Sequence, residues 1–140
     1  MDFSKSLSLR RWAFVMAVAG LIVVASSRGA VAGPPIDHFD KVVHFSVYGL
    51  LGTLVVRALG HRRWVLAVVI VSLFGASDEW HQSFVPGRAM EFGDWVADTL
   101  GAAVAALGYA RWSRYRERLE CPLRGARGPD NPAARAVSPE

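Results

Sequence analysis

Four apolar stretches of nearly bilayer-spanning length share one layer of charged and polar side chains, and that combination restricts this chain more than any other feature. The layer gathers His44, Tyr48, Asp78, Glu79, His81, Asp94 and Asp98. Hydrocarbon tolerates ionisable groups poorly, so those at membrane depth face a protein interior or a water-filled cavity and are functional candidates. The expected fold is all-α: a membrane-embedded bundle of four transmembrane helices with both termini cytoplasmic.

Composition agrees. Of 140 residues, 52% are hydrophobic and 20% charged, too much apolar surface for the core of one small soluble domain. The net charge of +4 does not mark a nucleic-acid surface, because the basic residues are not gathered on one patch. They cluster at segment ends: Lys5, Arg10 and Arg11, then Arg57, Arg62 and Arg63, then Arg111, Arg114, Arg116 and Arg118. This is the pattern that sets membrane orientation. It places the N-terminus, the turn at Arg62 and the tail in the cytoplasm, and the loops around Pro34 and Pro86 outside. Arg28, Lys41 and Arg88 oppose that orientation and are outnumbered. The single cysteine, Cys121, has no sequence partner for a disulfide or a zinc site.

The spacing predicts a cytoplasmic N-terminus over 1–9, spans over about 10–27, 41–60, 64–80 and 94–110, and a tail over 113–140 that is basic and helical to Glu120, then disordered. The first apolar run, Trp12 to Ala25, is short for a span. It is read as a retained anchor. A cleaved signal peptide is the alternative, since a basic start, an apolar run and Ala30-Val31-Ala32 also fit one. Gly33-Pro34-Pro35 breaks the chain before the second span, His61-Arg62-Arg63 is a tight basic turn, and Pro86-Gly87 favours a turn.

Helix rise places the polar groups at one level. Asp78 lies about 22 Å along the third span from Arg63, Asp98 and Asp94 about 20 and 26 Å from Arg111, and His44 about 27 Å from Arg62. In a hydrocarbon core of roughly 30 Å they meet in its outer part. By helical spacing Asp40, His44 and Tyr48 share a face of the second helix, Asp78, His81 and Gln82 one of the third, and Asp94 and Asp98 one of the fourth. Ala97, Gly101, Ala105 and Gly108 continue that last stripe, so a neighbouring backbone can approach there. Buried polar groups that only fix helix register are the plain alternative to a functional cleft.

The motifs Lys41-Val42-Val43-His44-Phe45-Ser46-Val47-Tyr48, Asp78-Glu79-Trp80-His81-Gln82-Ser83-Phe84-Val85-Pro86-Gly87-Arg88 and Asp94-Trp95-Val96-Ala97-Asp98-Thr99-Leu100-Gly101 carry a resemblance. In order and spacing the chain resembles the VanZ-like family of small integral membrane proteins over about residues 10–112. The resemblance implies a multi-pass protein of the inner (cytoplasmic) membrane, tied to the cell envelope and, for some members, to teicoplanin resistance. It implies no biochemical mechanism. Family members usually carry Asn where this chain has Asp98, so a neutral hydrogen-bonding role there requires Asp98 to hold a proton.

Three functions fit these residues. In the first, an outer-leaflet site binds or remodels a lipid-linked or amphiphilic envelope molecule. Lys41, Tyr48, Gln82, Arg88 and Asp98 hold it, and the Arg88 fork takes a phosphate or carboxylate. Trp80, Phe84 and Trp95 sit at the interface. The plain reading of Arg88 is a salt bridge to Glu79 or Glu91. In the second, His44, Asp78, Glu79, His81 and Asp94 are acid–base groups of a hydrolase or transferase on lipid headgroups. No nucleophile motif accompanies them. Asp78-x-x-His81 has a spacing used in bundle metal sites, but it occurs once, so no metal is assigned and no cofactor is named. The third is a non-catalytic assembly partner whose small-residue stripe meets another subunit, which also leaves a homo-oligomer open. The expected partners are membrane lipid and a lipid-linked envelope precursor, not nucleic acid.

Overall fold

The computed structural model describes residues 3–29 and 39–120. The Ala30-Val31-Ala32 cleavage motif, the Gly33-Pro34-Pro35 breaker, Cys121 and the tail beyond Glu120 lie outside the described residues. The described residues are all-helical. Five α-helices follow one another, α1 (Phe3–Ser26), α2 (Phe39–Leu59), α3 (Trp64–Gln82), α4 (Phe92–Arg111) and α5 (Ser113–Glu120), with a 3₁₀ turn at His61–Arg63 between α2 and α3.

Each helix runs until the sequence stops it. No proline interrupts any of the five. α2 ends at Gly60, whose φ of 93° only glycine adopts cheaply and whose N–H donates to the Val56 carbonyl at 2.9 Å. After α3 the chain reverses through Val85-Pro86-Gly87-Arg88. Arg88 N–H donates to the Val85 carbonyl at 3.1 Å and Gly87 has φ 80°, the residue and sign that a type II turn needs at its third position.

Two of these helices are long and apolar enough to cross a membrane, over Ser8–Ser26 and Phe39–Leu59. α1 starts earlier than its apolar run. Its crossing segment has 19 residues, about 28 Å of helix, which removes the shortfall expected from Trp12–Ala25. α3 and α4 are as long but fall outside that pair, and they carry the acidic residues of the polar layer. Side chains such as Phe14, Leu21, Leu50, Leu73 and Val104 stay exposed on the outside of the helices. That arrangement is consistent with a membrane protein.

α2 is the central helix. It packs on α1, α3 and, most extensively, α4. Tyr48, Leu51, Val55 and Val56 from α2 meet Ala67 and Val71 of α3 and Ala102, Ala106 and Tyr109 of α4 in one core, with Val15 and Ile22 of α1 on its edge. The α2–α4 contact is backbone on backbone. A Cβ at Gly101 would fall onto the Phe45 carbonyl, and one at Gly52 would lie 2.8 Å from the Ala102 Cα. The stripe expected on α4 is thus occupied, at Gly101, by α2 of the same chain.

At the far end α5 turns back. Glu120 accepts hydrogen bonds from Arg11 of α1, Arg57 of α2 and Tyr109 of α4. Arg116 Nη1 donates to the carbonyls of Tyr109 and Ala110.

Gly101→Ala must push α2 and α4 apart and should cost about 1–3 kcal/mol. Gly108→Ala meets nothing within 4 Å and should be neutral or slightly stabilising. Thermal unfolding in detergent, followed by circular dichroism, separates them; equal midpoints for both variants would contradict the close approach.

Candidate functional site

The polar groups meet at the end of the bundle where α1 ends and α2 and α4 begin. They form two linked halves. In the first, Asp78 accepts hydrogen bonds from Ser26 Oγ at 2.6 Å, Tyr48 OH at 3.1 Å and Gln82 Nε2 at 3.1 Å. Gln82 and Asp78 are one helical turn apart on α3, so the amide reaches back to the carboxylate. The same Nε2 donates to Glu79 Oε1 at 3.1 Å, and the Gln82 carbonyl oxygen accepts from Arg88 Nη1 at 3.2 Å. Arg88 Nε also donates to the Arg28 carbonyl at 3.3 Å. Arg88 therefore makes neither of the salt bridges expected to Glu79 or Glu91, and among the described residues its guanidinium has no carboxylate partner.

The second half joins α2 to α4. Lys41 Nζ lies 3.1 Å from Asp40 Oδ2, 3.1 Å from Glu91 Oε2 and 3.0 Å from Asp94 Oδ1. One turn further along α2, His44 Nδ1 lies 2.9 Å from Asp98 Oδ1, while its Nε2 is 3.8 Å from Asp94 Oδ2. An Nδ1–H donated to the carboxylate fixes the ring and leaves Nε2 free. The His44 and Tyr48 rings are stacked, with centroids 6.1 Å apart and planes 5° from parallel.

Glu79 links the halves. It is fully buried, accepts the Glu91 backbone N–H at 3.0 Å, and its Oε1 is 4.0 Å from His44 Nδ1. Asp98 is also fully buried, and its Oδ2 meets no donor. The fit around it is tight, since a Cβ at Gly75 would lie 2.9 Å from that oxygen.

Nine of the ten residues read from the sequence come together here: Lys41, His44, Tyr48, Asp78, Glu79, Gln82, Arg88, Asp94 and Asp98. His81 does not. It is exposed, and its Nε2 lies 3.1 Å from Ser27 Oγ. α3 does reach Gln82, but Asp78 and Gln82, at i and i+4, turn inward together while His81, at i+3, falls on the outer side. The Asp78-x-x-His81 spacing therefore builds no shared pair. Trp80 and Phe84 are exposed and meet edge to face, and Trp95 donates its indole N–H to the Ser72 carbonyl at 3.1 Å.

Ser26 was not singled out from the sequence. It is buried, and it brings α1 into the network. The depth argument applied to the first span would have found it, because Ser26 lies about 22 Å along α1 from Arg11.

A cleft of about 160 Å³ opens between α1 and α2. Ile22, Ala25, Val43 and Val47 form its apolar sides, and Ser26, His44, Tyr48, Asp78, Gln82 and Arg88 its polar part. Ligand atoms of His44, Glu79 and Asp98 lie within 4.8 Å of one another, as do those of Asp40, Glu91 and Asp94.

The ion pair from α2 to α4 is open to a double-mutant cycle. Lys41→Met and Asp94→Asn should each destabilise, and their coupling should be about 0.5–3 kcal/mol in unfolding free energy. Additive effects would show that Lys41 does not depend on Asp94.

A family model described as VanZ/LLP1 matches residues 3–113. An uncharacterized protein of the fission yeast Schizosaccharomyces pombe is 36% identical over 92 residues, which cover 62% of this chain and 56% of that protein. The chain thus spans little more than half the length of this curated relative. No solved structure matches the chain.

Proposed function

This chain belongs to the VanZ/LLP1 family, and we propose that it is a four-span protein of the inner (cytoplasmic) membrane whose outer-leaflet cleft binds or remodels an anionic amphiphile. The whole VanZ-like domain, 10–112, carries the spans, with both termini in the cytoplasm. The observation that carries the reading is the cleft itself. Its apolar sides suit an acyl or prenyl chain, its polar part suits a headgroup, and Arg88 stands there with its charge uncommitted to any carboxylate among the described residues. A guanidinium held by neutral acceptors keeps a planar fork for phosphate or carboxylate.

The orientation draws support from both ends. Arg11 and Arg57 share Glu120 at one end, together with the basic clusters read as cytoplasmic. At the other end Lys41, whose charge opposes that orientation, is met by three carboxylates. α3 and α4 are read as spans because their charged residues turn inward: Asp78, Glu79, Asp94 and Asp98 are all buried, where lipid does not meet them.

Teicoplanin resistance stands as one use of the family and not as this chain's proven role. Catalysis on headgroups is the second reading. It is favoured by one observation: His44, oriented by Asp98, lines the same cleft, as a general base would. The assembly-partner reading loses part of its support, since α2 occupies the small-residue stripe at Gly101 and Ala105, while Gly108 meets nothing within 4 Å.

Native mass spectrometry of the full chain in mild detergent tests the binding reading. The wild type should retain one anionic lipid. Arg88→Gln should weaken retention about tenfold, or ~1.4 kcal/mol, with Arg88→Lys intermediate. Ala25→Trp should block the cleft. Protein that carries no lipid, or retention indifferent to all three changes, would overturn the proposal.

Topology has its own measurement. In a Cys121→Ser background, Ser83→Cys should react with an impermeant maleimide in intact cells, and Arg62→Cys only after lysis. The reverse pattern would invert the bundle.

A further inference from the structure

We propose that His44, Glu79 and Asp98 form a divalent-cation site, one ligand from each of α2, α3 and α4. The geometry suits it. His44 Nδ1 is 2.9 Å from Asp98 Oδ1 and 4.0 Å from Glu79 Oε1, and ligand atoms about 2.0–2.2 Å from one cation sit at such mutual separations. An imidazole with two carboxylates is a nitrogen–oxygen donor set that suits zinc or manganese, not an iron–sulfur cluster.

Charge points the same way. Asp78, Glu79, Asp94 and Asp98 are all buried. Lys41 compensates Asp94, and three neutral donors satisfy Asp78. Glu79 accepts from the Gln82 amide and the Glu91 backbone N–H, but for Glu79 and Asp98 together His44 is the one basic side chain within 4.0 Å among the described residues. Two carboxylates removed from water with so little compensating charge are costly. A dication replacing the Nδ1 proton neutralises both.

A second observation is independent of the charge count. Asp98 is wholly buried; its Oδ1 faces His44, while its Oδ2, on the side of Gly75, has no hydrogen-bond partner. Buried carboxylate oxygens are rarely left that way, and a bound ion is one of the standard causes. The other cluster, Asp40, Glu91 and Asp94, shows the contrast: the Lys41 ammonium already lies among its carboxylates. Three protein ligands leave coordination positions open to water or to an incoming oxygen.

The test needs no lipid, so it stands or falls apart from the amphiphile reading. The full chain, with any affinity tag removed, is loaded with Mn²⁺ in detergent and desalted. The expected result is one Mn²⁺ per chain, displaced by Zn²⁺, with a single imidazole ¹⁴N coupling in pulsed electron paramagnetic resonance. Glu79→Gln and Asp98→Asn should each weaken binding about tenfold or more, and His44→Ala should remove the ¹⁴N coupling. Glu91→Gln should change nothing. Wild-type protein that retains no Mn²⁺, or retains it without ¹⁴N coupling, overturns the site even if a variant fails to fold. So does binding lost in Glu91→Gln alone.

Discussion

The approach of α2 to α4 controls the rest of the molecule. The two backbones touch because Gly101 and Gly52 present no side chain at the crossing, and the Phe45 carbonyl takes the space that a Cβ on α4 would need. Contact this close fixes rotation as well as distance. With Phe45 pinned on Gly101, its neighbour His44 lands on Asp98, and Lys41, one turn earlier, lands on Asp94. Without water to drive apolar association in lipid, van der Waals contact between small residues is a main source of helix adhesion. Here the same contact sets the register of the polar layer.

That layer is satisfied unevenly. Around Asp78 every bond is neutral donor to carboxylate, from three different helices, which suits a structural joint. Around Lys41 opposite charges meet at a partly exposed edge. Between them lie Glu79 and Asp98, both fully buried, with partly buried His44 as the basic side chain they share. A group of residues serving only to hold register has no need of such a deficit. On the proposed reading, Asp78 is the glue and His44 carries the chemistry.

Much of this was legible in the sequence. Helix lengths follow from apolar runs and their breakers, and the shared depth of His44, Asp78, Asp94 and Asp98 follows from counting rises. Which groups would touch was less accessible. Depth and angular spacing on one helix do not fix how that helix is rotated against its neighbours. His81 shows the cost: at i+3 from Asp78 it was placed on the inner face, but the helix turns its i, i+4 pair inward instead. Ser26 escaped because a hydroxyl hardly interrupts an apolar run. The fold-back of α5 was hidden too, since a basic helical tail names no partner by its composition, whereas one acidic residue, Glu120, ties it to Arg11 and Arg57.

The packing of α1 bears on the two readings of the first apolar run. A leader removed after export has no need to complement the body it leaves, at either end. α1 does so at both. Near its start Arg11 binds Glu120 and the Arg57 carbonyl. At its end Ser26 binds Asp78, and between them Val15 and Ile22 are buried. Removing the helix would leave Asp78 a donor short, strip one wall from the cleft, and take one of two basic partners from Glu120. Each loss falls on a part of the molecule that the other helices leave incomplete. These contacts support the reading of the first apolar run as a retained anchor.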